Sequence, residues 1–250
     1  MPARPLLLVT GGSRGIGASL CLKAAQAGYD LVISYRSDHS AADKVASEAR
    51  TAGAKVMTLA GDMAVEADIL ALFAAIDAFG TLTHVANNAG ATGKSGRLVD
   101  TDTAVIREII DLNVTGAILV AREAARRLST TSGGKGGSIV NISSAAATLG
   151  SPGEYVWYAA SKAAIDGLTI GLAREIASEG VRVNAVQPGL TETDIHAKST
   201  GDAARVARLT PAIPMKRPGL PDEIADAVLY LLSDAASYVT GSILRVSGGR

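Results

Sequence analysis

Cysteine is almost missing from this chain of 250 residues. Cys21 is the only one, so no disulfide can form within the chain, and that usage fits a reducing compartment. Aromatic residues are nearly as scarce, with one tryptophan and two phenylalanines, so the core must be built from aliphatic side chains and alanine. Neither charge is in excess: Lys+Arg and Asp+Glu number 24 each, which removes the basic footprint expected of a nucleic-acid partner. Long hydrophobic runs are lacking too. The N-terminal "MPARPLLLVTGG" offers only Leu6 to Val9 before Thr-Gly-Gly, too short for a signal-peptide core or a membrane span. His39, His84 and His196 do not cluster and have no cysteine or carboxylate at metal-ligand spacing, so no metal site is expected. These features describe a soluble, cytoplasmic protein without a nucleic-acid or membrane partner.

What is present is alternation. Short aliphatic runs are expected as strands at Leu6–Thr10, Leu31–Tyr35, Lys55–Ala60, Thr83–Ala86, Ser138–Ile142, Val181–Val186 and Ile243–Val246. Helical patterns fall between them, at Gly15–Ala27, Ser40–Ala52, Glu66–Ala78, Thr103–Leu128, Val156–Ser178 and Pro221–Leu232. Continuously apolar strands alternating with helices imply parallel strands covered on both faces, an α/β fold with one doubly wound sheet and no second domain. The glycine-rich Thr131–Ser138 has the composition of a linker, but a strand follows at once, so a surface turn is expected. The segment 191–218 is long and polar, contains Pro211, Pro214 and Pro218, and has one short helical pattern at Asp202–Leu209. A long irregular stretch in a compact fold is expected to act as a substrate lid, with Ile195, Leu209, Ile213 and Met215 as its apolar side chains.

The first strand runs into "TGGSRGIG", Thr10 to Gly17, and then into a helix. A glycine turn between strand and helix lets a phosphate approach the backbone, and the helix N-terminus favours its charge. Further on, Tyr158 and Lys162 stand four apart in "YAASK", which on a helix places them on one face, roughly 5–6 Å apart at Cβ. A phenol ordinarily titrates near pH ~10 and would need to fall by about three units, roughly 4 kcal/mol, to serve as acid and base near neutrality. One charge about 4 Å away, at an effective dielectric of about 20, supplies roughly that much. The expectation is that the Lys162 ammonium makes the Tyr158 phenolate accessible.

The ordered set Thr10-Gly11-x-x-x-Gly15-x-Gly17, Asp62, "NNAG" (Asn87–Gly90), Asn113, "NISS" (Asn141–Ser144), Tyr158-x-x-x-Lys162, "QPG" (Gln187–Gly189) and a final "YVTGSILRVSGG" is similar to the classical short-chain dehydrogenase/reductase family across essentially the whole chain. "SPGEYVWYAASKAAIDGL" resembles a bacterial subset labelled sugar-dehydrogenase-like, close to the 3-oxoacyl-reductase-like members. The resemblance implies strand order 3-2-1-4-5-6-7 and a nicotinamide dinucleotide over the strand C-termini. It implies an enzyme that interconverts a carbonyl and a secondary alcohol of a small molecule, with Tyr158 as acid/base and Lys162 also on the nicotinamide ribose. Asn113 is implied as a proton-relay residue, and the assembly as a homotetramer (or homodimer) through the long helices and the last strand. A serine after strand five should hold the substrate oxygen. Alignment from the strand selects Ser144, with Ser143 as runner-up and Ser151 as an outside candidate.

Gly11, Ser13, Arg14, Gly15, Ile16, Gly17, Tyr35, Arg36, Asp62, Met63, Asn88, Ala89, Gly90, Pro188, Gly189, Thr191 and Thr193 are the remaining cofactor-binding positions this implies. Strand two ends in Tyr35 and Arg36, where an NAD site usually has an acidic residue for the ribose 2′-hydroxyl. Arg36 and Arg14 suit a 2′-phosphate, so NADP(H) is expected over NAD(H). Two other classes compete with the enzyme reading. A dinucleotide sensor without turnover would not need the Ser-Tyr-Lys-Asn set, and a methyltransferase on a similar sheet would not need the Tyr-Lys pair.

Overall fold

A computed structural model describes residues 4–193, 199, 201, 202 and 204–250. Seven strands form one parallel sheet in the order β3-β2-β1-β4-β5-β6-β7. They are β1 (Leu6–Val9), β2 (Asp30–Tyr35), β3 (Val56–Ala60), β4 (Leu82–Asn87), β5 (Gly137–Ile142), β6 (Val181–Pro188) and β7 (Ile243–Val246). The main helices are α1 (Gly15–Gln26), α2 (His39–Thr51), α3 (Glu66–Phe79), α4 (Thr103–Ile110) and α5 (Ala117–Leu128). After them come α6 (Ala146–Leu149), α7 (Val156–Ile176), α8 (Arg205–Leu209) and α9 (Pro221–Leu232).

Both faces of the sheet are dry, and β1 shows why. Leu7 and Val9 point into a cluster with Leu20 of α1, Val45 of α2 and Val228 of α9, whereas Leu6 and Leu8 point into one with Phe73 of α3, Val120 of α5 and Ile176 of α7. Successive strand residues face opposite sides, so a strand covered twice must be apolar at every position. Local signals set the helix starts. The Asp38 carboxylate accepts from Ala41 N at 3.0 Å to begin α2. At α9, Pro221 opens the first turn and Glu223 reaches back to Leu220 N at 2.8 Å.

The expected helix over Thr103–Leu128 is not continuous. Between α4 and α5 the turn Asp111–Gly116 is π-helical, with one residue more than a regular turn holds. The apolar pattern hides this because both halves are amphipathic. Val156–Ser178 ends instead at Ile176, followed by a 3₁₀ turn over Ala177–Glu179. The glycine-rich stretch is a turn: Gly133, Gly136 and Gly137 take positive φ, and β5 begins at Gly137. The short α6 was not visible in the sequence pattern.

Gly116 is where the loop after β3 crosses the helix, and a Cβ there would lie 1.9 Å from Met63 O. Backbone on both sides leaves nothing flexible to yield. Gly116→Ala should destabilise the protein by about 2–3 kcal/mol, the usual range for overpacking, read as a lower denaturant midpoint with an unchanged m-value. A midpoint equal to wild type would show that the two segments separate freely.

Candidate active site

The loops after β1 to β6 meet at the C-terminal edge of the sheet around a cavity of about 810 Å³. The strand order reverses between β1 and β4, the place where doubly wound folds bind ligands. Every residue assigned above to the dinucleotide lines this cavity, as do Ser143, Ser144 and Ser151. Asn113 does not line it.

The first turn is stitched to the loop after β4. Thr10 Oγ1 accepts from Asn88 N and Ala89 N, both at 2.9 Å, while Asn88 Nδ2 donates to Thr10 O at 2.9 Å and Gly11 O at 3.1 Å. A Cβ on Gly17 would lie 2.4 Å from Gly11 O, and one on Gly15, where φ is +53°, would lie 3.3 Å from Thr193 Cγ2. The turn is thus a bare-backbone cradle that ends on the α1 N-terminus, which suits a phosphate. Asp62 stands at the edge of the cavity, where its carboxylate also accepts from Ala64 N at 3.0 Å. At the end of β2, Tyr35 is buried and its hydroxyl is 2.7 Å from His39 Nδ1. Arg36 and Arg14 are exposed on the rim and, among the described residues, make no ion pair. Asp38, in the loop after β2, is engaged in capping α2, and Asp30 lies at the opposite, N-terminal end of β2, where it accepts from Lys55 N at 2.8 Å.

Tyr158 and Lys162 face the cavity from α7. The Lys162 ammonium lies 5.8 Å from the Tyr158 ring centroid and donates to Ile142 O at 2.7 Å. Burial lowers its pKa to about 8, opposed by the Asp166 carboxylate one turn further on. Burial pushes the Tyr158 phenol up, opposed by a hydrogen bond with Ser144 and by the Arg205 cation. The sequence expectation therefore needs correcting. The ammonium is turned to a backbone carbonyl, and burial outweighs the charges that favour phenolate. Of the three serines, Ser144 is the one that favours the ionised phenol of Tyr158, and its Oγ also accepts from Ala146 N at 3.1 Å, whereas Ser143 Oγ donates to Lys162 O at 3.1 Å.

Asn113 sits in the π turn behind the cavity wall. Its side chain accepts from Ala91 N at 2.9 Å and donates to Ala91 O at 2.8 Å and Ser161 Oγ at 3.0 Å. A Cβ on Gly90 would lie 3.1 Å from its Oδ1 and 3.3 Å from Lys162 Nζ, so Gly90 alone separates the two side chains. Trp157 is buried and donates to Thr92 O at 2.9 Å, a packing role away from the cavity.

Of the segment 191–218, Thr191, Thr193, Ser199, Arg205, Arg208 and Leu209 line the cavity. Ile213 is buried under Gly248 and Met215 is exposed, so neither covers the site. Ile195 and His196 lie outside the described residues. Reading the sequence missed Glu154, Tyr155 and Arg205 at the substrate end. Glu154 accepts both Arg205 Nη2 at 2.6 Å and Nε at 3.1 Å. The only signal was a lone carboxylate in the small-residue turn "SPGEY".

The family model described as Enoyl-(Acyl carrier protein) reductase matches residues 11–250. The oxidoreductase YgfF of Escherichia coli is 46% identical over 246 residues, covering 98% of this chain and 99% of that one. A short-chain dehydrogenase from Burkholderia cenocepacia solved with NADP superposes with a TM-score of 0.90 at 32% identity, covering 98% of this chain and 97% of the other. A 3-ketoacyl-(acyl-carrier-protein) reductase from Brucella melitensis solved with NADH gives 0.89 at 31%, covering 98% of each. The chain belongs to the short-chain dehydrogenase/reductase family, NAD(P)-dependent oxidoreductases acting on CH–OH groups of small molecules. Its cofactor is a nicotinamide dinucleotide. Among the described residues no helix is long and apolar enough to cross a membrane, and no group of His, Cys, Asp and Glu could hold a metal.

The buried ammonium has a thermodynamic signature. A lysine whose folded pKa is about 8 binds fewer protons than the unfolded chain between that value and its ordinary one near ~10.4. Stability attributable to Lys162 therefore rises with pH across that window. Denaturant titrations of wild type and Lys162→Met from pH 7 to 10.5 should show the difference moving in favour of wild type above pH 8. A difference that stays flat would mean that Lys162 titrates normally.

Proposed function

We propose that this protein is an NADP(H)-dependent carbonyl reductase or alcohol dehydrogenase in which Tyr158 transfers the proton, Ser144 holds the substrate oxygen and Lys162 orders the site. The observation that carries this reading is the convergence of Ser144, Tyr158 and Lys162 on one cavity at the C-terminal edge of the sheet. When bound, the dinucleotide supplies or accepts the hydride at the substrate carbon. The chain's own task is to move the matching proton. Ser144 and Tyr158 present two hydroxyls to one oxygen atom, so an alkoxide developing there is met by hydrogen bonds and then by the phenol's proton. Lys162 is the nearest cation to that phenol on its own helix, and Asn113, beside the ammonium across Gly90, is the residue that would link the lysine to solvent as a proton relay.

The cofactor reading follows from charge. Arg36 and Arg14 stand at the rim without a carboxylate partner, and Asp38, the aspartate that follows β2, already caps α2. A 2′-phosphate between them would gain charge-assisted bonds, whereas a 2′-hydroxyl would find no carboxylate to accept its proton. The segment around α8 covers the substrate end. Among substrate classes, a 3-oxoacyl thioester is favoured over a sugar because Ala145, Leu149, Pro152 and Leu209 give that end an apolar side. A homotetramer through the long helices and β7 fits the exposed Ile118 on α5.

Tyr158→Phe keeps the ring and removes only the acid. Assayed with acetoacetyl-CoA and ethyl acetoacetate as oxidants and D-glucose as the reverse substrate, turnover should fall about 10²–10⁴-fold, while cofactor fluorescence still reports normal binding. Near-normal turnover would sink the reading. In the same titrations Arg36→Asp should weaken NADPH about 10–100-fold, the loss expected for one bond between charged groups, and narrow the preference over NADH. Equal wild-type affinity for both cofactors would remove the NADP assignment.

A further inference from the structure

Outside the residues that carry the proton, one built cluster stands at the substrate end. Arg205 of α8 is buried, its side chain 7% exposed, and pairs bidentately with Glu154 in the turn before α7. The guanidinium carbon lies 5.3 Å from the Tyr155 ring centroid. The Tyr155 ring in turn meets Tyr158 edge-on, 5.7 Å between centroids at 84°. Two parts of the chain distant in sequence, residues 154–158 and Arg205, thus form a stack of cation, ring and reacting ring, with one carboxylate holding the cation.

We propose that Glu154 and Arg205 are positioning residues for Tyr158. By clamping α8 to the turn before α7, they fix the Tyr155 ring against which the reacting phenol rests and so hold that phenol on Ser144. This rests on Tyr158 being the proton donor. A buried guanidinium is costly without a partner, so the pair is either complete or harmful. Planarity matters as well as charge: the guanidinium forks onto the carboxylate and lies on the ring, which an ammonium cannot do together. Glu154 O also accepts from Gly96 N at 2.8 Å, so the turn is held from the loop after β4 as well. The phenol is thereby fixed from its ring side, leaving its oxygen to Ser144 and the substrate. A group held this way affects the step in which the proton moves more than it affects substrate capture, because small displacements of reacting atoms are felt in the transition state.

The test measures kcat and KM separately for Arg205→Met, Arg205→Lys, Glu154→Gln and the double variant, using whichever of acetoacetyl-CoA and ethyl acetoacetate the wild type reduces faster. Tyr158→Phe and NADPH binding run alongside. Each single variant should lose about 10–100-fold in kcat, with KM within about threefold and NADPH affinity unchanged. Arg205→Lys should stay closer to Arg205→Met than to wild type. The double variant, which buries no unpaired charge, should fold at least as well as either single one and be no slower. Unchanged kcat, a rise in KM alone, full rescue by lysine, or loss of the folded state in single and double variants alike would each overturn the proposal. If Tyr158→Phe abolishes turnover while Arg205→Met does not slow it, only this inference falls. If Tyr158→Phe turns over normally, or neither probe is reduced, the functional reading falls and takes this one with it.

Discussion

A single hydrogen bond, from the Lys162 ammonium to the Ile142 carbonyl at the end of β5, organises the reacting end of this molecule. A buried ammonium needs an acceptor, and the carbonyl at the C-terminal tip of β5 supplies it. The bond ties α7 to the tip of β5, and with it Tyr158, one turn earlier, to Ser144, two residues past Ile142. Ser143 Oγ on Lys162 O closes the same junction from the other side. Two side-chain bonds onto backbone carbonyls therefore hold Ser144, Tyr158 and Lys162 at one junction.

Beneath this junction the sheet carries polar residues that have no access to the cavity's contents. Asn87 of β4 donates to Asn141 of β5 at 3.1 Å, and Asn141 donates to Thr169 of α7 at 2.9 Å. Asn87 also donates to Ala117 O at the start of α5. All three side chains are buried, so an unmet amide would be expensive, and the network fixes the register of two strands and two helices at once. The residues that mark this fold in sequence are thus partly scaffold. Asn87 and Asn141 belong to the same short motifs as Asn88 and Ser144, yet they act by holding the sheet together under them.

Much of this was legible in the sequence because it depends on local rules. β7 runs from Ile243 to Val246 and α9 from Pro221 to Leu232, as their apolar runs and the proline start indicate. Tyr158 and Lys162 share a helix face because four residues make about one turn. Three features escaped. The acceptor of Lys162 is a backbone carbonyl, and a carbonyl has no letter in the sequence. Glu154 and Arg205 are 51 residues apart, and an ion pair between a turn and a distant short helix leaves no period to detect. Burial of Tyr158 depends on packing around the whole cavity, so the direction of its pKa could not be read from the one lysine nearby.

The π turn at Asp111–Gly116 is a matter of length more than of composition. One added residue advances a helix by about 100°, so α4 and α5 present different phases to the sheet. α5 buries Val120, Ala121, Ala124 and Leu128, while α4 buries Ile109 alone. Asn113 reaches Ala91 and Ser161 only from inside that phase break. Removing any one residue there, whatever its identity, would let the two helices fuse into one. The asparagine would then swing away from the cavity wall with its own sequence neighbours intact. What places it is a count, and substitution scanning, which preserves the count, would not find it.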